Sequence, residues 1–401
     1  PNEIKEKSQY ALFERGVVVF ISNHIYRYSR RYIITSVLIT LLVILIIATV
    51  LPVLLIKSTT KTIISSNLDN TPVLRWNSNG ITTAGISGSP GSANNQLNLP
   101  HDIVFDYANN LYIADRYNHR IQKYLFGSSI GQTVAGNVTS GFSLDKFSGP
   151  TRVLMDSNEN LYIADTGNAR IQFWRKGANS GTRIADAGKQ NKQNNVVFPS
   201  YNSLSLGYAG NSSNELYWPH GIALHPTSNI LYIVDTTNHR IMSYTLGNNS
   251  GTLVFGFNGG GNSNTQLYWP VGLHFDILTN SLVIANVGAN KIVRYMLGSS
   301  FWTLIAGDIS GVSGTTPAQF NGPIEATFDP MGNLYVADRN NHRIQFFYAG
   351  QLNATTIAGI TGVNDTNATT LHAPWSLRLD SQLNLYVSDT SNHRIQKFLR
   401  Y

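Results

Sequence analysis

Apolar and polar positions alternate in short runs along most of the chain, and one such run recurs six times. In its first copy, residues 111–124 read LYIADRYNHRIQKY: an apolar run that ends in an acid, a polar turn and a second alternating run. Alternation with period two, interrupted by turn residues, predicts β-strands. The acid or amide that anchors each copy follows the previous one by 50, 70, 51, 52 and 51 residues, and these anchors are Asp115, Asp165, Asp235, Asn286, Asp338 and Asp389. This nearly constant spacing indicates a repeat fold.

Each repeat is predicted to supply four strands. In the first repeat they lie at 100–106, 111–115, 120–124 and 132–136. Four short strands in each of six units are typical of an all-β, six-bladed β-propeller, whose sheet edges are short and protected.

The sixth repeat has only three of these strands, because residue 401 follows its third strand directly. The segment 81–85 (ITTAG) has the pattern of a fourth strand and precedes the first complete repeat. We expect it to pair beside the last strand, since this pairing closes the ring and removes two open sheet edges.

A single apolar segment precedes the repeats. Residues 32–56 run for 25 positions without a charge, and a helix crosses the hydrocarbon core of a bilayer in about 20 residues. Arg27, Arg30 and Arg31 stand directly before this segment, which favours an N-terminus in the cytoplasm. The sequence therefore predicts a single-pass membrane protein with an extracellular or lumenal propeller. Its predicted parts are a cytoplasmic tail (1–31), a transmembrane helix (32–56), a stalk (57–71) and the propeller (72–401).

Asn-x-Ser/Thr sequons are compatible with this placement. They are candidate glycosylation sites at Asn137, Asn211, Asn248, Asn353, Asn364 and Asn367.

The recurring phrases, such as LYIADTGNARIQFW at 161–174 and LYVADRNNHRIQFF at 334–347, resemble the NHL repeat over roughly residues 72–401. The resemblance implies an interaction module. Members of this family include membrane receptor kinases, cytosolic scaffolds that bind RNA or protein, and the lyase part of the peptide-amidating enzyme. The net charge of +7 is spread thinly, so no phosphate-binding surface is expected and nucleic acid is not a predicted partner. The absence of cysteine excludes disulfides and a catalytic thiol.

The first strand of each blade lines the central channel of a propeller, and alternate side chains then face its axis. One predicted ring consists of Asp102, Arg152, Gly221, Gly272, Glu325 and Ser376. The next consists of Val104, Leu154, Ala223, His274, Thr327 and Arg378. Such a channel either binds a small polar ligand or holds water and internally paired charges.

Pro-His pairs place His101 and His220 at the starts of two first strands. They resemble the Pro-His that supplies zinc ligands in the amidating lyase. The corresponding position of the fifth repeat is Ile324, and a catalytic zinc needs three protein ligands. We therefore predict no metal, no cofactor and no catalytic residue, and we retain a metal-dependent channel enzyme as the alternative to a binding module.

An insertion of about twenty residues separates the second and third repeats, at 189–216. Long loops are often functional or disordered. Tyr201, Tyr208 and Tyr217 lie amid Asn and Ser here, a composition typical of binding loops. The insertion is either a partner-binding loop, on the face that carries the Asn-His-Arg turns, or an unstructured insert.

Overall fold

Six antiparallel sheets of four strands make up the part of the chain that the structure, a computed structural model, describes. The described residues are 74–185, 210–248 and 250–401. The predicted tail, transmembrane helix and stalk lie outside them. Within these three ranges, no helix is long and apolar enough to cross a bilayer.

The strands follow the predicted order within each repeat. The first strands are β2 (Pro100–Phe105), β6 (Arg152–Met155), β10 (Pro219–Leu224), β14 (Pro270–Asp276), β18 (Pro323–Phe328) and β22 (Leu377–Leu379). The second strands are β3 (Leu111–Asp115), β7 (Leu161–Asp165), β11 (Ile230–Asp235), β15 (Ser281–Asn286), β19 (Leu334–Asp338) and β23 (Leu385–Asp389). The third strands are β4 (Arg120–Tyr124), β8 (Arg170–Trp174), β12 (Arg240–Thr245), β16 (Lys291–Met296), β20 (Arg343–Phe347) and β24 (Arg394–Phe398). The fourth strands are β1 (Ile81–Gly85), β5 (Gly131–Gly136), β9 (Thr182–Ala185), β13 (Thr252–Phe255), β17 (Thr303–Gly307) and β21 (Thr355–Gly359).

The ring closes as predicted. Blades 1 to 5 are β2–β5, β6–β9, β10–β13, β14–β17 and β18–β21, whereas blade 6 is β22–β24 completed by β1. Strand β1 runs antiparallel to β24, with Ile81 opposite Lys397 and Gly85 opposite Arg394. Just before β1, the indole of Trp76 packs on Phe346 with ring centroids 5.3 Å apart.

A 3₁₀ turn joins the second and third strands of every blade. These turns are Arg116–Asn118, Thr166–Asn168, Thr236–Asn238, Val287–Ala289, Arg339–Asn341 and Thr390–Asn392. The residue after each turn adopts a left-handed conformation, as His119 does with φ of 53°. We call the end of the ring that carries these turns the 3₁₀ face and the other end the opposite face.

The described core consists of six apolar clusters, one at each junction between neighbouring blades. Two glycines allow first strands to approach closely. A Cβ at Gly221 would lie 2.3 Å from the Val271 carbonyl oxygen, and one at Gly272 would lie 2.5 Å from that of Ile324. Sequence alternation placed both positions on the channel axis, whereas in the structure a Cβ at either position would point into the backbone of the neighbouring blade.

Candidate functional site

The anchor Asp of each repeat organises its turn. In blade 2, Asp165 Oδ1 accepts the backbone N–H of Ser148 at 2.7 Å, and Oδ2 accepts Nε of Arg170 at 2.7 Å. Both side chains are fully buried, and Arg170 also donates to carbonyls of the loop that leads into the blade. Five blades share this ion pair, which is Asp115–Arg120, Asp165–Arg170, Asp235–Arg240, Asp338–Arg343 and Asp389–Arg394. The repeated Asp and Arg therefore hold the turn and the incoming loop of each of these blades in place.

The residue after each turn links one blade to the next. In blade 1, His119 Nδ1 accepts the backbone N–H of Gly149, which leads into blade 2, at 3.0 Å. Four further side chains accept a backbone N–H of the next blade in the same way: His239 from Trp269, Asn290 from Gly322, His342 from Ala373, and His393 from Leu99. We call these bonds the inter-blade latches. In blade 2 the position is Ala169, whose side chain has no acceptor.

A buried network of charges crosses the channel. Arg152 of blade 2 binds Glu325 of blade 5, with Nη2 3.1 Å from Oε1, and its Nε lies 3.3 Å from Asp102. Arg378 reaches the same two carboxylates at 3.2 and 3.4 Å, and Ser376 donates to Asp102 at 2.6 Å. Burial lowers the pKa of Arg152, but Asp102 and Glu325 raise it by more, so the guanidinium stays charged.

Blades 2 and 5 lie opposite each other in a ring of six, so the Arg152–Glu325 pair spans the axis. The predicted channel charges are therefore paired with one another. The cross-channel network, formed by Asp102, Arg152, Glu325, Ser376 and Arg378, divides the channel into an upper part at the 3₁₀ face and a lower part at the opposite face.

In the upper part, His101 and His220 converge on one indole. Trp375 stacks on His101 with ring centroids 3.7 Å apart, and the ring of His220 lies 6.2 Å from it. Arg116 Nη1 lies 3.4 Å from His101 Nε2, and the guanidinium of Arg339 lies 5.2 Å from the centre of the Trp375 ring. We call these five residues the mouth cluster.

Both imidazoles of the mouth cluster are neutral at pH 7. Burial, and after it the charges of Arg116 and Arg339, hold the pKa of His101 well below its ordinary value. Burial likewise lowers the pKa of His220 to about 4. Arginine can only donate, so Nε2 of His101 accepts and its proton resides on Nδ1.

The mouth cluster does not fit a catalytic zinc. Two histidines converge, but Ile324 stands at the third position, and two guanidinium groups beside the imidazoles oppose a divalent cation. In the described ranges, no group of three His, Asp or Glu side chains is arranged to hold a metal ion.

Below the cross-channel network, a cavity of about 300 Å³ opens towards the opposite face. Its lining includes the second predicted ring of channel residues, which is Val104, Leu154, Ala223, His274, Thr327 and Arg378. Burial and the charge of Arg378 lower the pKa of His274 to about 4. We call this cavity the lower chamber.

The remaining candidates are the tyrosines of the insertion and the sequons. Tyr201 and Tyr208 lie outside the described residues, whereas Tyr217 is half-buried and its backbone N–H binds Asp235. Five sequons are exposed and one is half-buried: Asn211, Asn248, Asn353, Asn364 and Asn367, and then Asn137.

Sequence reasoning missed Trp375, Arg116, Arg339 and the latching role of the turn histidines. The first three occupy repeat positions that hold other residue types in most blades, and this departure was the available signal.

Comparisons with known proteins agree with the fold. The family model described as NHL repeat matches residues 97–124, 216–242, 320–347 and 371–398. Human NHL repeat-containing protein 2 is 35% identical over 97 residues, covering 22% of this chain and 13% of that protein. Peptidyl-glycine alpha-amidating monooxygenase A of Xenopus laevis is 28% identical over 157 residues, covering 38% of this chain and 16% of that protein. The chain thus matches less than one fifth of the length of either relative.

Among solved structures, a protein of unknown function from Bacteroides thetaiotaomicron superposes with a TM-score of 0.59 at 15% identity, covering 80% of this chain and 76% of that one. This likeness supports the propeller fold alone. The repeats, the closed ring of blades and the matched segments lead to one conclusion: the chain carries NHL repeats, built into a six-bladed β-propeller.

Proposed function

We propose that this propeller is an interaction module whose 3₁₀ face binds a protein or a small polar ligand. The observation that carries the proposal is the collection of aromatic and arginine side chains on that face. Tyr268 and Trp269 are 42% and 38% exposed there. The same face carries the mouth cluster with its Trp375, Arg116 and Arg339. Tyr, Trp and Arg are the residues that most often dominate binding energy at interfaces.

The position of the insertion between blades 2 and 3 also favours binding at the 3₁₀ face. It leaves β9 after Ala185, which pairs with Ile171 next to the 3₁₀ turn, and it enters β10 at Pro219, which pairs with Asp235. Both of its anchors therefore lie on the 3₁₀ face.

Photo-cross-linking of the full chain tests this proposal. Strand β14 offers a matched pair, because Trp269 precedes it on the 3₁₀ face and Leu278 follows it on the opposite face at 90% exposure. A photo-reactive phenylalanine analogue in place of Trp269 should capture a defined partner in native cells, and the analogue in place of Leu278 should not. Trp269→Ala should then weaken binding of that partner by at least about tenfold. Capture from position 278 alone would contradict the proposal.

We also propose that residues 32–56 anchor the propeller in a membrane with the repeats outside the cell or in a lumen. The support is the charge-free apolar run and the arginines before it. Protease added to intact cells should then digest residues 74–401 and spare 1–31. Loss of the N-terminal tail with a protected propeller would reverse the orientation.

The alternative function is a metal-dependent enzyme, for which His101 and His220 supply two of the three protein ligands that a catalytic zinc needs. Metal analysis of the full chain decides between the two. Stoichiometric zinc that disappears in the double variant His101→Ala, His220→Ala, together with glyoxylate release from an α-hydroxyglycine peptide, would establish the enzyme.

A further inference from the structure

The lower chamber is a second candidate binding site, separate from the 3₁₀ face. Its ring of lining residues lies near the short turns between first and second strands, as shown by Val104 opposite Tyr112 and Thr327 opposite Tyr335. The buried Arg152–Glu325 pair separates this ring from the mouth cluster. A ligand in the lower chamber therefore needs no contact with the partner proposed above.

Two polar side chains in this chamber have unused hydrogen-bonding capacity. Within residues 74–185, 210–248 and 250–401, neither the His274 ring nor the Thr327 hydroxyl makes a hydrogen bond to the protein, although both line the cavity. The His274 ring lies beside the ring of Phe328, with centroids 6.1 Å apart, a contact that uses neither of its nitrogens. A neutral imidazole has one donor and one acceptor, and a hydroxyl has both functions. A partly buried pair of this kind favours a ligand that supplies the missing partners.

The charges around the chamber are already balanced. Arg152 and Arg378 at its base pair with Asp102 and Glu325. Near His274, Arg294 Nη1 pairs with Asp276 at 2.5 Å. A ligand charge of either sign would enter a partly buried site without a free counter-ion, which is costly.

The wall of the chamber has an apolar half and a polar half. Val104, Leu154 and Ala223 form the apolar half, from blades 1 to 3, and His274, Thr327 and Arg378 form the polar half, from blades 4 to 6. This combination, in a volume of about 300 Å³, is typical of a small-molecule pocket. We propose that the lower chamber binds a small uncharged molecule with an apolar body and one amide or hydroxyl group.

Three probes of similar size and different charge test the proposal: benzamide, benzoate and benzylammonium. The full chain, with isotope-labelled histidine, is titrated with each while the imidazole resonances are followed by NMR. Benzamide should shift the His274 signal saturably, with a Kd of about 1 mM or tighter for a molecule of this size. Benzoate and benzylammonium should bind at least about tenfold more weakly.

Variants locate the binding. His274→Phe lacks the reporter ring, so benzamide binding to it is followed on the ligand by saturation-transfer NMR and should weaken about tenfold. Thr327→Val, followed at His274, should weaken benzamide about threefold, because each variant removes one hydrogen-bonding group. The matched control His101→Phe, at the other end of the channel, should leave benzamide affinity unchanged. No saturable shift of His274 in the wild type, or tighter binding of benzoate than of benzamide, would overturn the proposal. If His274→Phe fails to fold, the wild-type titration and Thr327→Val still decide. Neither result depends on cross-linking at the 3₁₀ face.

Discussion

Blades 2 and 4 each keep one half of the repeated turn motif and lose the other. Blade 2 has the buried Asp165–Arg170 pair, but Ala169 stands where other blades carry the latching acceptor. Blade 4 has an acceptor, Asn290, but an amide and a lysine, Asn286 and Lys291, replace the ion pair. The NHL family model matches neither blade. Both blades nevertheless form complete four-stranded sheets. The ion pair that holds the turn and the latch to the next blade are therefore independent interactions.

The comparison also shows what the anchor residue must do. Asn286 Oδ1 accepts the backbone N–H of Tyr268 at 2.7 Å, the bond that Asp165 makes with Ser148. Lys291 is fully buried and donates to two oxygens at 2.6 Å. A neutral oxygen is therefore enough to hold the loop, and a carboxylate is required only where an arginine is buried beside it.

Alanine substitution at the two anchor residues should give the largest difference in stability between blades 2 and 4. Asp165→Ala leaves Arg170 buried without its carboxylate, which should lower the free energy of unfolding by about 3–5 kcal/mol. Asn286→Ala removes a neutral acceptor and should cost about 1–3 kcal/mol. Urea denaturation of the full chain measures both. Equal losses would mean that the charge of Asp165 contributes nothing.

Exchanging arginine and lysine between the two blades tests whether the type of cation matters. Arg170 donates to Asp165 and to three loop carbonyls, and a lysine cannot reproduce this fork. Arg170→Lys should cost about 2 kcal/mol. In blade 4, Lys291→Arg alone should destabilise, and adding Asn286→Asp should recover part of that loss.

A double-mutant cycle with Asn286→Asp and Lys291→Arg measures the interaction free energy between the two new residues. We expect at least about 1 kcal/mol of favourable interaction, because the pair recreates the ion pair of the other blades. Additive effects would show that blade 4 can no longer accommodate the pair.

Acidification should loosen the imidazole latches and spare the amide latch. Burial lowers the pKa of His119, His239, His342 and His393 below the ordinary value of 6.5. The unfolded chain therefore binds more protons than the folded chain as the pH falls below 6.5, and stability declines in that range. A protonated ring also loses its acceptor.

Amide chemical shifts of the latch donors provide the readout. Gly149, which donates to His119, should move between pH 7 and pH 5, whereas Gly322, which donates to Asn290, should not. Parallel changes at both glycines would contradict the role assigned to the imidazoles.

A single latch should give the smallest effect. His119→Ala removes one hydrogen bond between blades 1 and 2 and should cost about 1 kcal/mol. The reciprocal change, Ala169→His, supplies the acceptor that blade 2 lacks. It should raise the unfolding midpoint slightly or leave it unchanged, whereas a loss as large as that of His119→Ala would show that the junction after blade 2 has a different geometry.

The fold could be predicted from the sequence because the same local pattern occurs in six repeats. Predicting each strand required only its alternation of apolar and polar residues and the turn residues beside it. The closing strand was predictable for the same reason, since ITTAG repeats a pattern. The site was only partly predictable. Alternation placed Asp102, Arg152 and Glu325 in the channel, but their pairing across the axis depends on which blades stand opposite each other.

Other features depended on three-dimensional contacts. Trp375 meets His101 only when blades 6 and 1 become neighbours, and no local pattern encodes that stacking. The glycines at 221 and 272 face the next blade because the first strands of blades 3, 4 and 5 approach closely, a distance that strand periodicity does not contain.

The closing strand has a consequence for synthesis. The hydroxyl of Thr83 in β1 bonds to the carbonyl of Ile395 in β24, 312 residues later in the chain. At a translation rate of about 5–20 residues per second, β1 leaves the ribosome roughly 15–60 seconds before its partner. For that interval one strand waits unpaired while the other blades can form in order. The ring therefore cannot close before β24 has been synthesised, and a nascent chain that stops short of β24 exposes a sheet edge that chaperones or proteases can recognise.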